Sequence, residues 1–259
     1  MRRLIPVLVL AGALLVAGCA TPSADQAAPP SQGTPPSPTA DPRDALTVVK
    51  ESFQRSFDAK TFAMNVRISA GARQSAAMTA AADLAAGNLR IAMKAPLDME
   101  IVKLDKDIFI KMSEQDGKPW LRLQVDKLRS TSSLRDSTDL TQHSGVLGGV
   151  KTAEKRDSAA GSTTYEGVAD LKLAAESGTG SAKSQMETLS RLARNASEVP
   201  YTATVDDQGR LIELSYTVVI PAGSTVSEIE LTDLGKPVTI TPPPAAEVAD
   251  ATEEHYAYF

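Results

Sequence analysis

Alternation with a period of two constrains this chain more than any other feature. In TFAMNVRIS, Phe62, Met64, Val66 and Ile68 alternate with small or polar residues. Leu89, Ile91 and Met93 do so in GNLRIAMKA, and Leu97, Met99 and Ile101 alternate against Asp98 and Glu100. Ile108, Ile110 and Met112 continue the pattern, followed by Leu121, Leu123 and Val125 and by further runs over 165–173, 201–205, 212–220 and 229–231. A period of two gives each strand one buried and one wet face. The links are short and rich in turn formers: Ala-Gly-Asn at 86–88, Ala-Pro at 95–96, Asp-Gly-Lys-Pro at 116–119 and Asp-Asp-Gln-Gly at 206–209. Links of that length join antiparallel neighbours, because a parallel pair needs a long crossover. The expectation is an α+β fold: one large, one-sided antiparallel sheet of about ten strands with a few helices over its apolar face.

Three helices are predicted. In the first, Asp41 is placed to cap, Pro42 to start the helix, and Asp44 stands three residues after the cap. Leu46, Val49, Phe53 and Phe57 recur at helical spacing, and the helix is expected to end near Ala59. A weaker helix over 136–147 runs into Gly145, Gly148 and Gly149. A third covers 184–196, with Ser184 and Glu187 as a capping box and Met186, Leu189, Leu192, Ala193 and Ala196 as its stripe. Three helices cannot cover ten flat strands. A closed barrel, a curved half-barrel with helices across its mouth, or two domains would each hide the apolar face.

The N-terminus reads as an export signal. Arg2 and Arg3 precede the uncharged run Leu4 to Val16, and Ala17 and Gly18 are small. The run falls short of the ~20 residues a membrane span needs. Val16-Ala17-Gly18-Cys19 resembles the lipobox of bacterial lipoproteins, and Cys19 is the only cysteine. The resemblance implies cleavage before Cys19, diacylglycerol on its sulfur and an acyl group on the new amino terminus. Residues 1–18 are thus expected to be a lipoprotein signal peptide, and the chain to sit lipid-anchored on the extracytoplasmic face of the cell membrane. Residues 19–40, rich in Pro, Ser and Thr, form a tether that carries too little apolar mass for a core. At ~3.1 Å per residue its reach is on the order of 60 Å. The folded domain is expected over 41–243, and the acidic tail 244–259, after three prolines, is expected to be disordered. Its aromatic end, HYAYF, has no role in this reading.

Charge and composition exclude several functions. Without residues 1–18 and their two arginines, 25 basic residues face 32 acidic ones. That balance, with no basic run, argues against nucleic acid as a partner. No disulfide can form, so stability rests on burial. Only His143 and His255 are histidines, and neither has carboxylates or a thiol at ligand spacing. There is no G-x-S-x-G elbow. GTGSAKS at 178–184 lacks phosphate-loop spacing and reads as a flexible loop, and Asn195-Ala196-Ser197 as a chance sequon. Asp98 and Glu100 share a strand face with neighbouring lysines, Lys94 and Lys103 among them, and read as a solvated surface. The expectation is a non-enzyme with no catalytic residue, no metal and no cofactor beyond the covalent lipid on Cys19.

The apolar face itself remains. In QSAAMTAAADLAAG the alternation turns Ala76, Ala80 and Ala82 inward, and methionines recur at 64, 78, 93, 99 and 112. Interiors are close-packed, so small residues leave volume that a ligand could fill, while methionine adapts to irregular apolar shapes. An alanine-rich but dry core fits the same pattern. The inward candidates for lining a cavity are Phe62, Met64, Val66, Ile68, Leu89, Ile91, Met93, Met99 and Ile101.

The C-terminal part carries a resemblance. VPYTATVDDQGRLIELSYTVVIP and STVSEIELTDLGKPVTITPPP give strand, turn and strand, and then a strand with a turn at Asp233-Leu234-Gly235-Lys236-Pro237. This is similar to the LppX/LprG-type actinobacterial lipoprotein family, whose members commonly carry an acidic-aromatic-Gly-x-Pro-Val turn followed by proline. Leu234 stands where an aromatic is usual. The order of elements matches over roughly 44–243, and motif likeness is confined to the last ~45 of those residues. The resemblance implies a LolA/LolB-like half-barrel whose helices close an apolar cavity. It also implies non-covalent carriage or presentation of lipid or acylated glycolipid in the cell envelope. The implied partners are that lipid or glycolipid ligand, the membrane through the anchor, and an envelope transporter or acceptor protein. The alternative is a structural, adaptor or sensory lipoprotein with a filled core and protein partners.

Overall fold

A computed structural model describes residues 43–259 apart from 72, 95–97, 116, 130–131, 133 and 136–144. The described residues all fall in one compact unit. The expected signal peptide, Cys19, the tether, Asp41, Leu97, His143 and most of the predicted 136–147 helix lie outside them.

Helix α1 (Ala45–Asp58) starts later than predicted. Its N-cap is Asp44, whose carboxylate accepts the Thr47 N–H at 3.0 Å and the Thr47 hydroxyl at 2.7 Å. The buried face is Val48, Val49, Ser52, Phe53, Ser56 and Phe57. The two serines let the helix approach the sheet closely. The Ser52 hydroxyl donates to Val49 O, and the Ser56 hydroxyl sits between Ser52 O at 3.0 Å and Leu211 O at 2.8 Å. The helix ends at Ala59 as expected, and Lys60, at φ 68°, turns the chain into the sheet.

The strands are β1 (Thr61–Ala70), β2 (Arg73–Asp83), β3 (Asn88–Lys94), β4 (Met99–Leu104), β5 (Asp107–Gln115) and β6 (Lys118–Gln124), then β7 (Glu154–Ala159), β8 (Ser162–Ala169), β9 (Val199–Asp206), β10 (Leu211–Ile220), β11 (Gly223–Thr232) and β12 (Val248–Asp250). They form one open sheet in the order β12-β6-β5-β4-β3-β2-β1-β11-β10-β9-β8-β7. Every pair is antiparallel except β12–β6. This is a mixed α+β fold with a large open sheet, two strands wider than predicted. One addition, β7, is wholly exposed and carries no apolar alternation for sequence reasoning to find.

Several expectations are corrected. The run over 165–173 is not all strand: β8 stops at Ala169, and Asp170 caps α2 (Leu171–Ser177) by accepting the Lys172 and Leu173 N–H groups. Helix α3 (Gly180–Leu192) begins inside the supposed flexible loop, with Thr179 at its N-cap position. Ser184 does not cap it; its hydroxyl donates back to Gly180 O. Gly145–Gly149 form a 3-10 turn that buries Val146 and Leu147 against the core.

The tail is ordered. Strand β12 pairs with β6, and α4 (Glu253–Tyr258) follows, closed by a reciprocal Thr252–His255 capping box. Tyr256 is buried in the main core, and its hydroxyl accepts the Gln124 N–H at 2.8 Å. The reading of 244–259 as disordered failed because its partners are long-range: Arg122, Lys118 and Gln124 all hold it. Nor is the sheet one-sided throughout. Val102, Phe109 and Trp120 form a second apolar cluster on the face opposite the core, covered by Ile240 and Val248.

Candidate apolar ligand face

The register builds the candidate face row by row. Phe62, Ala82 and Leu89 lie opposite one another across β1, β2 and β3. The next row crosses seven strands: Leu231, Met64, Ala80, Ile91, Ile101, Ile110 and Leu121. At ~4.8 Å per strand it spans about 29 Å. The third row is Ile229, Val66, Met78, Met93 and Met99, and beyond it Ser227, Ile68 and Ala76 face one another.

Burial falls along these rows except at Ser227, which is 7% exposed. Phe62 and Ala82 are fully buried, and no member of the seven-strand row is more than 8% exposed. In the third row every side chain is half-buried, as are Ile68 and Ala76. The buried end is sealed by aromatic rings: Phe57 stands 4.6 Å from Phe53, edge to face, and 5.0 Å from Phe62.

The nine cavity candidates therefore separate. Phe62, Met64, Leu89, Ile91 and Ile101 are core. Val66, Met93 and Met99 are half-buried and pack against that core. Ile68 is half-buried beyond them. The structure adds Met78 and Ile229 to the half-buried band. The alternation of β2, with Met78 between Ala76 and Ala80, was the available signal for the first of these.

Charges mostly keep off this face. Asp98 pairs with Lys94 at 2.7 Å and Glu100 pairs with Arg90, so this carboxylate pair is neutralised surface, as expected. Lys103 departs from the expectation that it faces water. It lies in register with Leu89 and Ile108, and its stem runs along the apolar row while Nζ donates to Gly87 O at 2.8 Å. Long cationic chains cover apolar surface in this way.

Among the described residues three pockets lie elsewhere, and none of the nine candidates lines them. The largest, about 510 Å³, is bounded by Glu154, Arg156, Glu166, Thr202, Ser215 and neighbouring residues of β7 to β10. The others, of about 250 and 300 Å³, lie at the β7–β8 and β9–β10 turns and beside Arg67, Glu213 and Glu230. At the border of the first, the Tyr201 hydroxyl donates to Thr152 O at 2.8 Å, and burial pushes its pKa up. Gly167 permits that crossing: a Cβ there would lie 1.9 Å from Thr152 O.

Among the described residues no group of three or more His, Cys, Asp or Glu is placed to hold a metal ion. None of the described helices is long and apolar enough to cross a membrane. His255 takes part in the tail's capping box.

No family model and no curated protein matches the chain. Among solved structures, a chain of the Pseudomonas aeruginosa MucA/MucB complex aligns with 76% of this chain and 59% of its own, at 10% identity and a TM-score of 0.35. A crystal structure of MucB aligns with 75% and 59%, at 10% identity and a TM-score of 0.33. Hypothetical protein CT021 from Chlamydia trachomatis aligns with 74% and 97%, at 10% identity and a TM-score of 0.31. The chain thus spans about three fifths of the MucB-containing chains it aligns with, and likeness this weak decides neither fold family nor function.

Proposed function

We propose that this chain is a lipoprotein, anchored through Cys19, that binds lipid or acylated glycolipid on the apolar face of a half-barrel sheet of LolA/LolB type. It carries or presents that ligand at the extracytoplasmic side of the membrane. The observation that supports this reading is the half-buried band of Val66, Met78, Met93, Met99 and Ile229, continuous with a sealed core. A core with no other task would hide these side chains, since burying each contributes roughly 1.5–3 kcal/mol. Acyl chains supply matching surface. Each methylene contributes ~0.8 kcal/mol, so a sixteen-carbon chain costs on the order of 12 kcal/mol to expose to water. Three methionines in one row suit chains of varied length and unsaturation.

The test is direct. The chain from Ala20 onward is secreted without its lipobox, purified without detergent, extracted with organic solvent and analysed by mass spectrometry. A Met78→Trp, Met93→Trp variant fills the band and leaves the seven-strand row intact. Stoichiometric lipid that the variant loses supports the carrier. Folded, lipid-free protein favours the second reading, an envelope adaptor with protein partners, for which the tight packing of the seven-strand row already speaks.

A further inference from the structure

Three of the chain's seven methionines stand side by side. Met78 on β2, Met93 on β3 and Met99 on β4 are register partners in the half-buried row, so their thioethers rise from one face of three adjacent strands. Neighbouring strands lie ~4.8 Å apart, and facing Cβ atoms come within about 5.5 Å. Three rotatable bonds let each sulfur lean toward its neighbour. Packing alone does not account for the choice of residue. Strands favour β-branched and aromatic side chains, and ordering a methionine costs more rotamer freedom than ordering a leucine or isoleucine. In the adjoining row of the same face the same strands use Ile91 and Ile101.

The surroundings select the chemistry. Val66 and Ile229 complete the row, and Ala80, Ile91 and Ile101 stand in the next, so the side chains beside the sulfurs in both rows are apolar. Lys94 and Asp98, which flank Met93 and Met99 in sequence, are exposed and bond each other at 2.7 Å. Neutral thioethers in such a setting are poor hosts for Mg2+, Ca2+ or Zn2+, which bind oxygen, imidazole or thiolate. They suit Cu(I), which soft sulfur ligands select. A single positive charge also costs less to take out of water than a double one. Half-burial leaves the sulfurs a route to solvent. Thioether sulfur lies outside the His, Cys, Asp and Glu donors on which the expectation of a metal-free chain rested.

We propose that Met78, Met93 and Met99 form a binding site for one soft monovalent metal ion, Cu(I), across β2, β3 and β4. Met93, in register with both others, is the central ligand. The site does not rest on lipid binding, although an acyl chain and the ion contend for the same row.

The chain from Ala20 onward carries every described residue and no cysteine. It is produced with isotope-labelled methionine methyl groups, stripped of any bound lipid in urea, refolded, and titrated anaerobically with Cu(I) against a chromogenic Cu(I) chelator. One equivalent is expected to bind. The methyl resonances of Met78, Met93 and Met99, assigned from single leucine variants, should shift together while that of Met186 on α3 stays. Methionine-to-leucine changes nearly conserve volume, and the emission of Trp120, the only tryptophan, reports that each variant has refolded. Losing even an outer-shell partner typically costs a metal site ~10–100-fold in affinity, so Met93→Leu should weaken binding by more than ~100-fold, while Met186→Leu leaves it unchanged. No saturating equivalent in the refolded chain, binding that survives Met78→Leu, Met93→Leu and Met99→Leu together, or shifts confined to other methionines overturns the site.

Discussion

Replacing Phe57 with alanine tests the reasoning about the sealed end of the apolar face. Phe57 is 2% exposed, and its ring meets Phe53 at 4.6 Å and Phe62 at 5.0 Å. A buried Phe→Ala change removes the transfer free energy of the ring and leaves a cavity, together about 3–5 kcal/mol. Two aromatic pairs are lost within that sum, each worth roughly 0.5–1.5 kcal/mol. The cost stands at the upper end if the helix cannot sink, and the Ser56 hydroxyl, bonded to Leu211 O, already holds it close. For a domain of this size each kcal/mol moves Tm by about 2–4 °C, so the expected drop is about 6–20 °C. The assay is urea unfolding followed by the emission of Trp120, which reports from the opposite cluster and does not touch the deleted ring. A loss below ~1 kcal/mol at unchanged m-value would refute the claim that this aromatic contact holds α1 on the sheet.

Three further outcomes are expected. Gly167→Ala drives a methyl into Thr152 O and the Tyr201 hydroxyl, so overpacking should cost roughly 1–3 kcal/mol in the same titration. Asn195→Ala removes a side chain that bridges Thr217 O and the Val219 N–H at 3.0 and 2.9 Å. It should cost about 1–3 kcal/mol for the polar groups left unpaired and raise amide exchange at Val219. The hydroxyl and amide of Thr47 hold the Asp44 carboxyl below its ordinary value of 3.8. Its contribution to α1 is thus present above about pH 4 and lost as pH falls through the lowered folded value, and Asp44→Ala should remove that part of the acid dependence in helical circular dichroism.

Much of the sheet was legible from residue order. Alternation depends only on the geometry of an extended backbone, so Phe62 to Ile68 and Leu89 to Ile101 declare their inner face without knowledge of any partner. Capping depends on a few adjacent residues and was legible to within a turn: α1 begins at Asp44 rather than Asp41, and α3 begins a turn early because helical residues from Gly180 onward precede Ser184. What the local pattern could not decide was which inner residues are sealed and which stay half-open. Leu89 and Met93 share a strand, a face and an alternation, yet only Leu89 lies where the Phe53–Phe57–Phe62 rings close the sheet. That difference is a matter of which distant element lies above each row.

The same holds for the tail. An acidic segment after three prolines contains nothing that folds alone, and a six-residue helix is too short to stand in water. Its order comes from Trp120, Arg122 and Gln124, more than a hundred residues earlier in the chain. Residue types alone thus determined an alternating, mostly antiparallel sheet and the absence of recognisable catalytic motifs. Tertiary structure alone decided the twelve-strand order, the second apolar cluster and the boundary between core and half-buried band, because each depends on contacts between segments that sequence proximity does not bring together.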